Sequence, residues 1–268
     1  MQLLEEYGNV LYQRGAALYT YRHLVVVVQQ SIPAVKALAG PCWEMISRWE
    51  VAEPPDHRTP LPLFLFKAMM ATALLWRWER FASILGLAFY GIARPGEPLK
   101  EVRSSLLLPS DLLEFGSTTA YLKIQSPKTR RRGGGRIQHL TVDEPSFVSF
   151  LEAVFRKVPR DEPLFGGSPS SFRRRWDSIL RALGVGPATG LTPGGIRGGG
   201  CVAAFQRGVD LPRILWLMRI RHLCTLENYL QEVLASSVVP DLPEFSRLRI
   251  RAAAEMYSVV LDARARVI

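Results

Sequence analysis

An arginine set among glycines and a tyrosine 32 positions further on are the residues whose types and spacing could do chemistry. Arg197 follows Gly194-Gly195-Ile196 and precedes Gly198-Gly199-Gly200. A glycine-rich turn lets backbone approach a phosphate closely, and a helix starting just beyond it favours anions. A second arginine, Arg94, lies in Gly91-Ile92-Ala93-Arg94-Pro95-Gly96-Glu97, after a long apolar helical pattern. Tyr229, in Thr225-Leu226-Glu227-Asn228-Tyr229-Leu230, offers a hydroxyl. Such a set suits the breaking of a phosphodiester. That reaction needs a nucleophile in line with the leaving oxygen, positive donors for the non-bridging oxygens, and an acid for the departing 5′ oxygen. Guanidinium groups match phosphate oxygens in pairs and can supply the charge without a metal.

The order Arg, helix, Tyr resembles the C-terminal signature of the tyrosine recombinases, the phage-integrase family. The resemblance covers roughly residues 55 to 235 and includes the spacer Leu164-Phe165 and Phe172-Arg173-Arg174-Arg175-Trp176. It implies that Arg94, with Glu97 three residues on, and Arg197 hold the scissile phosphate. Tyr229 would attack to give a 3′-phosphotyrosyl intermediate. Lys128, in Pro127-Lys128-Thr129 at a β-hairpin tip, would protonate the 5′ oxygen; Lys123, within a strand, is less well placed. The implied partner is double-stranded DNA, bound as a dimer or tetramer, with no cofactor, metal or small-molecule ligand. The implied activity is strand breakage and rejoining for recombination or integration of a mobile element.

Two positions depart from the family pattern. Gly194 stands where the turn motif usually has His, and Ile220 stands where a His or Trp precedes the tyrosine by nine residues. Glycine cannot take the phenol proton, and isoleucine cannot donate to a phosphate oxygen. Arg219, Arg221 and His222 flank Ile220, but on a continuing helix each successive residue turns about 100° away. Losing one such donor costs a factor of about 10² to 10³ in rate. Cleavage is therefore expected to be slow or absent. A non-catalytic DNA-binding relic is the alternative reading, and a type IB topoisomerase-like enzyme a further one.

Composition agrees with a polyanionic partner. The 268-residue chain carries a formal net charge of +10, and most of its 34 basic residues are Arg. Arg130, Arg131, Arg132 and Arg136 in a glycine-rich hairpin connection, and Arg173, Arg174 and Arg175 on a helix, are the expected DNA contacts. The three cysteines lack metal-ligand spacing and argue against a disulfide framework. An acidic start, MQLLEEYGN, and short apolar runs read as neither a signal peptide nor a membrane span. The expected location is intracellular and DNA-associated, the nucleus in a eukaryote.

The elements that must position these residues read as mainly α with a small three-stranded antiparallel sheet, a recombinase-type catalytic fold behind a short N-terminal helical piece. The resemblance implies that residues 1–52 are a partial helical core-binding domain of SAM-like type and 53–268 the catalytic-type domain. The polar, Pro-rich stretch 52–60 marks the boundary. Residues 61 to about 90 read as continuously helical. Strands are expected at 105–108, 119–124 and 136–142. Further helices are expected at 146–157, 170–183, 199–207, 210–218, 223–234 and 244–263.

Overall fold

The computed structural model describes residues 2–53, 58–113, 117–125 and 138–268. The chain divides into two compact units, Met1–His57 and Arg58–Ile268. The division falls inside the Pro-rich stretch.

The first unit contains α1 (Gln2–Gln13), α2 (Leu18–Ser31) and α3 (Gly40–Ala52). They close on a small core of Tyr21, Val25, Cys42, Ile46 and Trp49.

The second unit is built around α4 (Leu63–Leu75), which is buried at every position from Leu65 to Leu74 except Lys67. A helix apolar on nearly all sides belongs at the centre of a fold. The long helix expected over 61–90 is broken after α4 and resumes as α5 (Glu79–Tyr90). Arg77 sits between them in the left-handed region, φ 59°. Apolar residues continue across the break, so the pattern carried no sign of it.

The sheet is antiparallel with order β1-β2-β3, comprising β1 (Leu106–Leu107), β2 (Ala120–Ile124) and β3 (Gln138–Val142). Leu122 pairs with both Leu106 and Leu140. Its buried face, Ala120, Leu122, Ile124, Leu140 and Val142, joins the main core.

The helices that follow the sheet are α6 (Pro145–Phe155), α7 (Pro169–Ala182), α8 (Ile196–Gln206), α9 (Leu211–Met218), α10 (Leu223–Glu227), α11 (Glu232–Ser237), α12 (Glu244–Glu255) and α13 (Tyr257–Val267). Two expected helices are thus divided, 223–234 around Tyr229 and 244–263 at Met256. α12 and α13 pack on α4, α13 on α6, and α5 on α8. Between the end of α5 and the start of α13 the Tyr90 and Tyr257 hydroxyls meet at 2.8 Å.

α8 begins three residues earlier than expected, so Arg197 and Gly198 lie inside the helix rather than in a turn before it. The use of Gly199 and Gly200 is close packing. A β-carbon on Gly199 would lie 2.1 Å from the Leu61 carbonyl oxygen, and one on Gly200 2.1 Å from that of Phe89. The start of α8 is therefore pressed against the end of α5. This contact sets the site, because Arg94 follows α5 and Arg197 opens α8. No helix among the described residues is long and apolar enough to cross a membrane.

Candidate anion site

The chain leaves α5 through Gly91 and Ile92. Ile92 is in the left-handed region at φ 45°, an outlier for a β-branched residue. It is buried in a satellite core with Cys201, Ala204, Ile214, Met218 and Leu226. The turn then presents Arg94, half-buried, and folds back on Glu97, 7% exposed. The Glu97 carboxylate accepts from the Arg94 backbone N–H at 3.0 Å and from Arg94 Nη1 at 3.3 Å. It also accepts from Arg219 Nη2 at 2.5 Å.

Arg197 is 2% exposed. Its Nη2 donates to the Met218 carbonyl at 2.5 Å. Met218 ends α9, and the next residue, Arg219, is left-handed at φ 57°, ψ 38°. That reversal turns the Arg219 side chain toward Glu97. The expectation that Arg219 points elsewhere fails because it applied helical turning to a residue just beyond the helix end. Arg221 and His222 are exposed.

Tyr229 lies in a turn after α10, not within a helix, with its backbone N–H donating to the Leu226 carbonyl at 2.8 Å. Its half-buried ring packs on the satellite core, and Arg197 Cζ stands 5.3 Å from the ring centroid. Arg94, Glu97, Arg197, Arg219 and Tyr229 thus form one cluster, drawn from three separate parts of the chain.

The charge balance of this cluster is uneven, three guanidinium groups around one carboxylate. Burial first, then the Arg94 charge, hold the Arg197 guanidinium below the ordinary arginine range, at about 10, with Arg219 pushing the same way and Tyr229 and Glu97 opposing. Burial likewise lowers Arg219, against the Glu97 carboxylate, with Arg94 adding to the fall. Both remain cationic at neutral pH, held in surroundings that disfavour positive charge.

The donors are also unspent. Among the described residues, Nε and Nη1 of Arg197 and Nε and Nη1 of Arg219 are buried without a hydrogen-bond partner. Buried polar groups are normally paired, and exceptions call for a reason. Arg103 shows what a structural arginine looks like in the same unit. Only 4% exposed, it donates through Nε to the Phe155 carbonyl, through Nη1 to the Leu106 carbonyl and through Nη2 to Asp111. Arg197 and Arg219 have the burial of Arg103 without its partners. An oxyanion bearing several lone pairs would supply them.

The remaining predicted residues fare differently. Lys128, Arg130, Arg131, Arg132 and Arg136 lie outside the described residues. Arg173 and Arg174 are exposed, and Arg173 is paired with Asp177 at 2.9 Å. Arg175 is half-buried, its guanidinium stacked 5.1 Å over Trp78 and 5.6 Å over Phe165. Ile220 packs at the edge of the satellite core. Gly194 lies in a short 3-10 turn, where a β-carbon would meet Arg58 Nη1 at 2.4 Å. Sequence reasoning missed Arg58 and set Arg219 aside. A left-handed Arg just past a helix end is a signal the sequence does not print.

No family model matches the chain, and no curated protein matches it.

Proposed function

We propose that the chain binds duplex DNA through a phosphodiester held by Arg94 and Arg197, and that it is a tyrosine-recombinase-type strand-transfer protein of a mobile element. The observation that carries this reading is the cluster of three guanidinium groups around one carboxylate, with four buried donor nitrogens of Arg197 and Arg219 unpartnered among the described residues and Arg197 over the Tyr229 ring. In this reading the second unit is the catalytic domain and the first a partial core-binding piece. The Tyr229 hydroxyl gives up its proton to water as its oxygen forms a bond to phosphorus, and the bond to the 5′ oxygen breaks. The 3′ end stays as a phosphotyrosyl ester, and the 5′ oxygen takes a proton from Lys128. A 5′ hydroxyl from another strand reverses the step, so the bond energy is conserved. Strand exchange of this kind takes place on DNA between copies of the protein, a dimer or tetramer.

The test is a nicked suicide duplex incubated with the full chain. A covalent protein–DNA adduct that disappears in Tyr229→Phe supports cleavage. A second reading, DNA binding without cleavage, is favoured by Ile220, which is committed to an apolar core, and by Gly194. It predicts no adduct, with duplex binding that still depends on Arg197.

A further inference from the structure

We propose that Arg219 is a third phosphate ligand of this site, positioned by Glu97, and that it supplies the donor that Ile220 lacks. The inference rests on the phosphodiester reading above and deepens it by naming a further residue that touches the bound anion.

Four observations converge. Arg219 occupies a left-handed backbone conformation, φ 57°, at the end of α9. Glycine is the ordinary occupant of such a place, because a β-carbon there is strained. Strain of this kind persists where the side chain has a use. The side chain is also costly to keep: it is 10% exposed and adds a third cation to a pocket with one carboxylate. Nε and Nη1 find no partner among the described residues. Finally, Glu97 fixes the group rather than neutralising the pocket. Its carboxylate ties Arg219 Nη2 at 2.5 Å and the Arg94 backbone N–H at 3.0 Å, so the two arginines are held to one anchor from opposite ends of the catalytic-type unit. A residue kept for the fold alone would be satisfied as Arg103 is.

The strained backbone supplies a discriminating variant. Arg219→Gly removes the side chain, relieves the left-handed strain and lowers the charge repulsion. If Arg219 serves the anion, this protein melts no lower than wild type in phosphate-free buffer while losing affinity for the anion. If Arg219 is a structural ion-pair partner, the melting temperature falls and affinity is kept.

The experiment measures thermal stabilisation by inorganic phosphate, and binding of a short duplex, for the full chain as wild type, Arg197→Ala, Arg219→Gly and Arg219→Lys. The expected loss of affinity in Arg219→Gly is roughly ten- to a hundredfold, that of one charge-assisted partner. Arg219→Lys keeps the charge without the fork and should fall between. If Arg219→Gly fails to fold, Arg219→Lys decides: a loss of about threefold or more upholds the proposal, and wild-type affinity overturns it. Wild-type affinity in Arg219→Gly overturns it equally, while leaving the phosphodiester reading intact if Arg197→Ala still loses binding. A wild-type protein that responds to neither phosphate nor duplex overturns both.

Discussion

Replacing Gly200 by alanine tests whether packing between α5 and α8 sets the site. Inside an ordinary helix this change stabilises by about 1 kcal/mol, because alanine loses less backbone freedom than glycine. Here the new methyl would lie 2.1 Å from the Phe89 carbonyl oxygen. Ordinary contact begins near 3.4 Å, so α8 must retreat by roughly 1.3 Å from α5, and a backbone oxygen cannot swing aside. Overpacking of this kind costs about 1 to 3 kcal/mol. Taking the upper figure because the obstacle is backbone, the net loss is about 2 kcal/mol, a fall of roughly 4 to 8 °C in melting temperature for a unit of this size. Gly198→Ala is the matched control, since its methyl would meet Pro60 at an ordinary 3.4 Å. It should gain about 1 kcal/mol, or about 2 to 4 °C. The retreat of α8 carries Arg197 away from Arg94. A misplacement of about 1 Å can cost a hundredfold in a reaction held by geometry, so phosphate affinity and any adduct yield should fall in Gly200→Ala and persist in Gly198→Ala. Scanning calorimetry and anion titration on both variants check this. If Gly200→Ala melts higher than wild type and binds phosphate normally, the helix contact does not govern the site.

Four further outcomes are expected. Duplex binding should weaken about a thousandfold between roughly 50 and 200 mM salt if some six phosphates are neutralised; fluorescence anisotropy across that range checks it, and a flat response contradicts a phosphate-driven interface. Native protein at about pH 8 should react with N-ethylmaleimide at exposed Cys224 and not at buried Cys42 or Cys201, whose thiol burial pushes up to about 12 against the lowering effect of Arg197; mass spectrometry of the labelled chain reads the site. Glu144 caps α6 through the Phe147 N–H at 2.6 Å, yet burial raises its carboxyl above the usual range. The folded state therefore holds the proton more tightly than the unfolded one, and this group's contribution to stability falls as pH rises through the raised value. Glu144→Gln keeps an acceptor and should raise the melting temperature at pH 7, with the gain shrinking toward about pH 4. Gly194→His should increase Tyr229 adduct formation by offering an imidazole to the phenol proton, and Arg58→Ala in the same chain should increase it further, because the Arg58 guanidinium occupies the space the new side chain needs; gel quantitation of the adduct compares the two.

The legible and illegible parts of this molecule divide along a physical line. Periodicity disclosed the helical class and the three strands, because burying one face imposes a period of 3.6 or 2 on the residues themselves. The joining of Arg94, Arg197 and Tyr229 in one cluster followed the residues that carried the family resemblance. What failed were places where backbone conformation overrides pattern. The break at Arg77, the early start of α8 and the direction of Arg219 just past α9 each depend on a left-handed residue or a close backbone contact. Neither leaves a composition signal when the residue is Arg rather than Gly. The start of α8 lies three residues ahead of the expected one for the same reason: glycine admits both a turn and a tight helix crossing, and the neighbouring carbonyls of Leu61 and Phe89 decide between them. Arg219 fell into this gap. Its role turns on one backbone reversal that brings a third cation to a carboxylate 122 residues away. Folding alone gives no reason to bury two guanidinium groups beside a third around one acid and leave four of their donors unpaired among the described residues. Each such group costs free energy that a hydrophobic side chain would not. The cluster is therefore best understood as incomplete without an anion. On that reasoning the anion-free protein should gain stability from every phosphate-like ligand it admits, in proportion to the logarithm of ligand concentration above its dissociation constant.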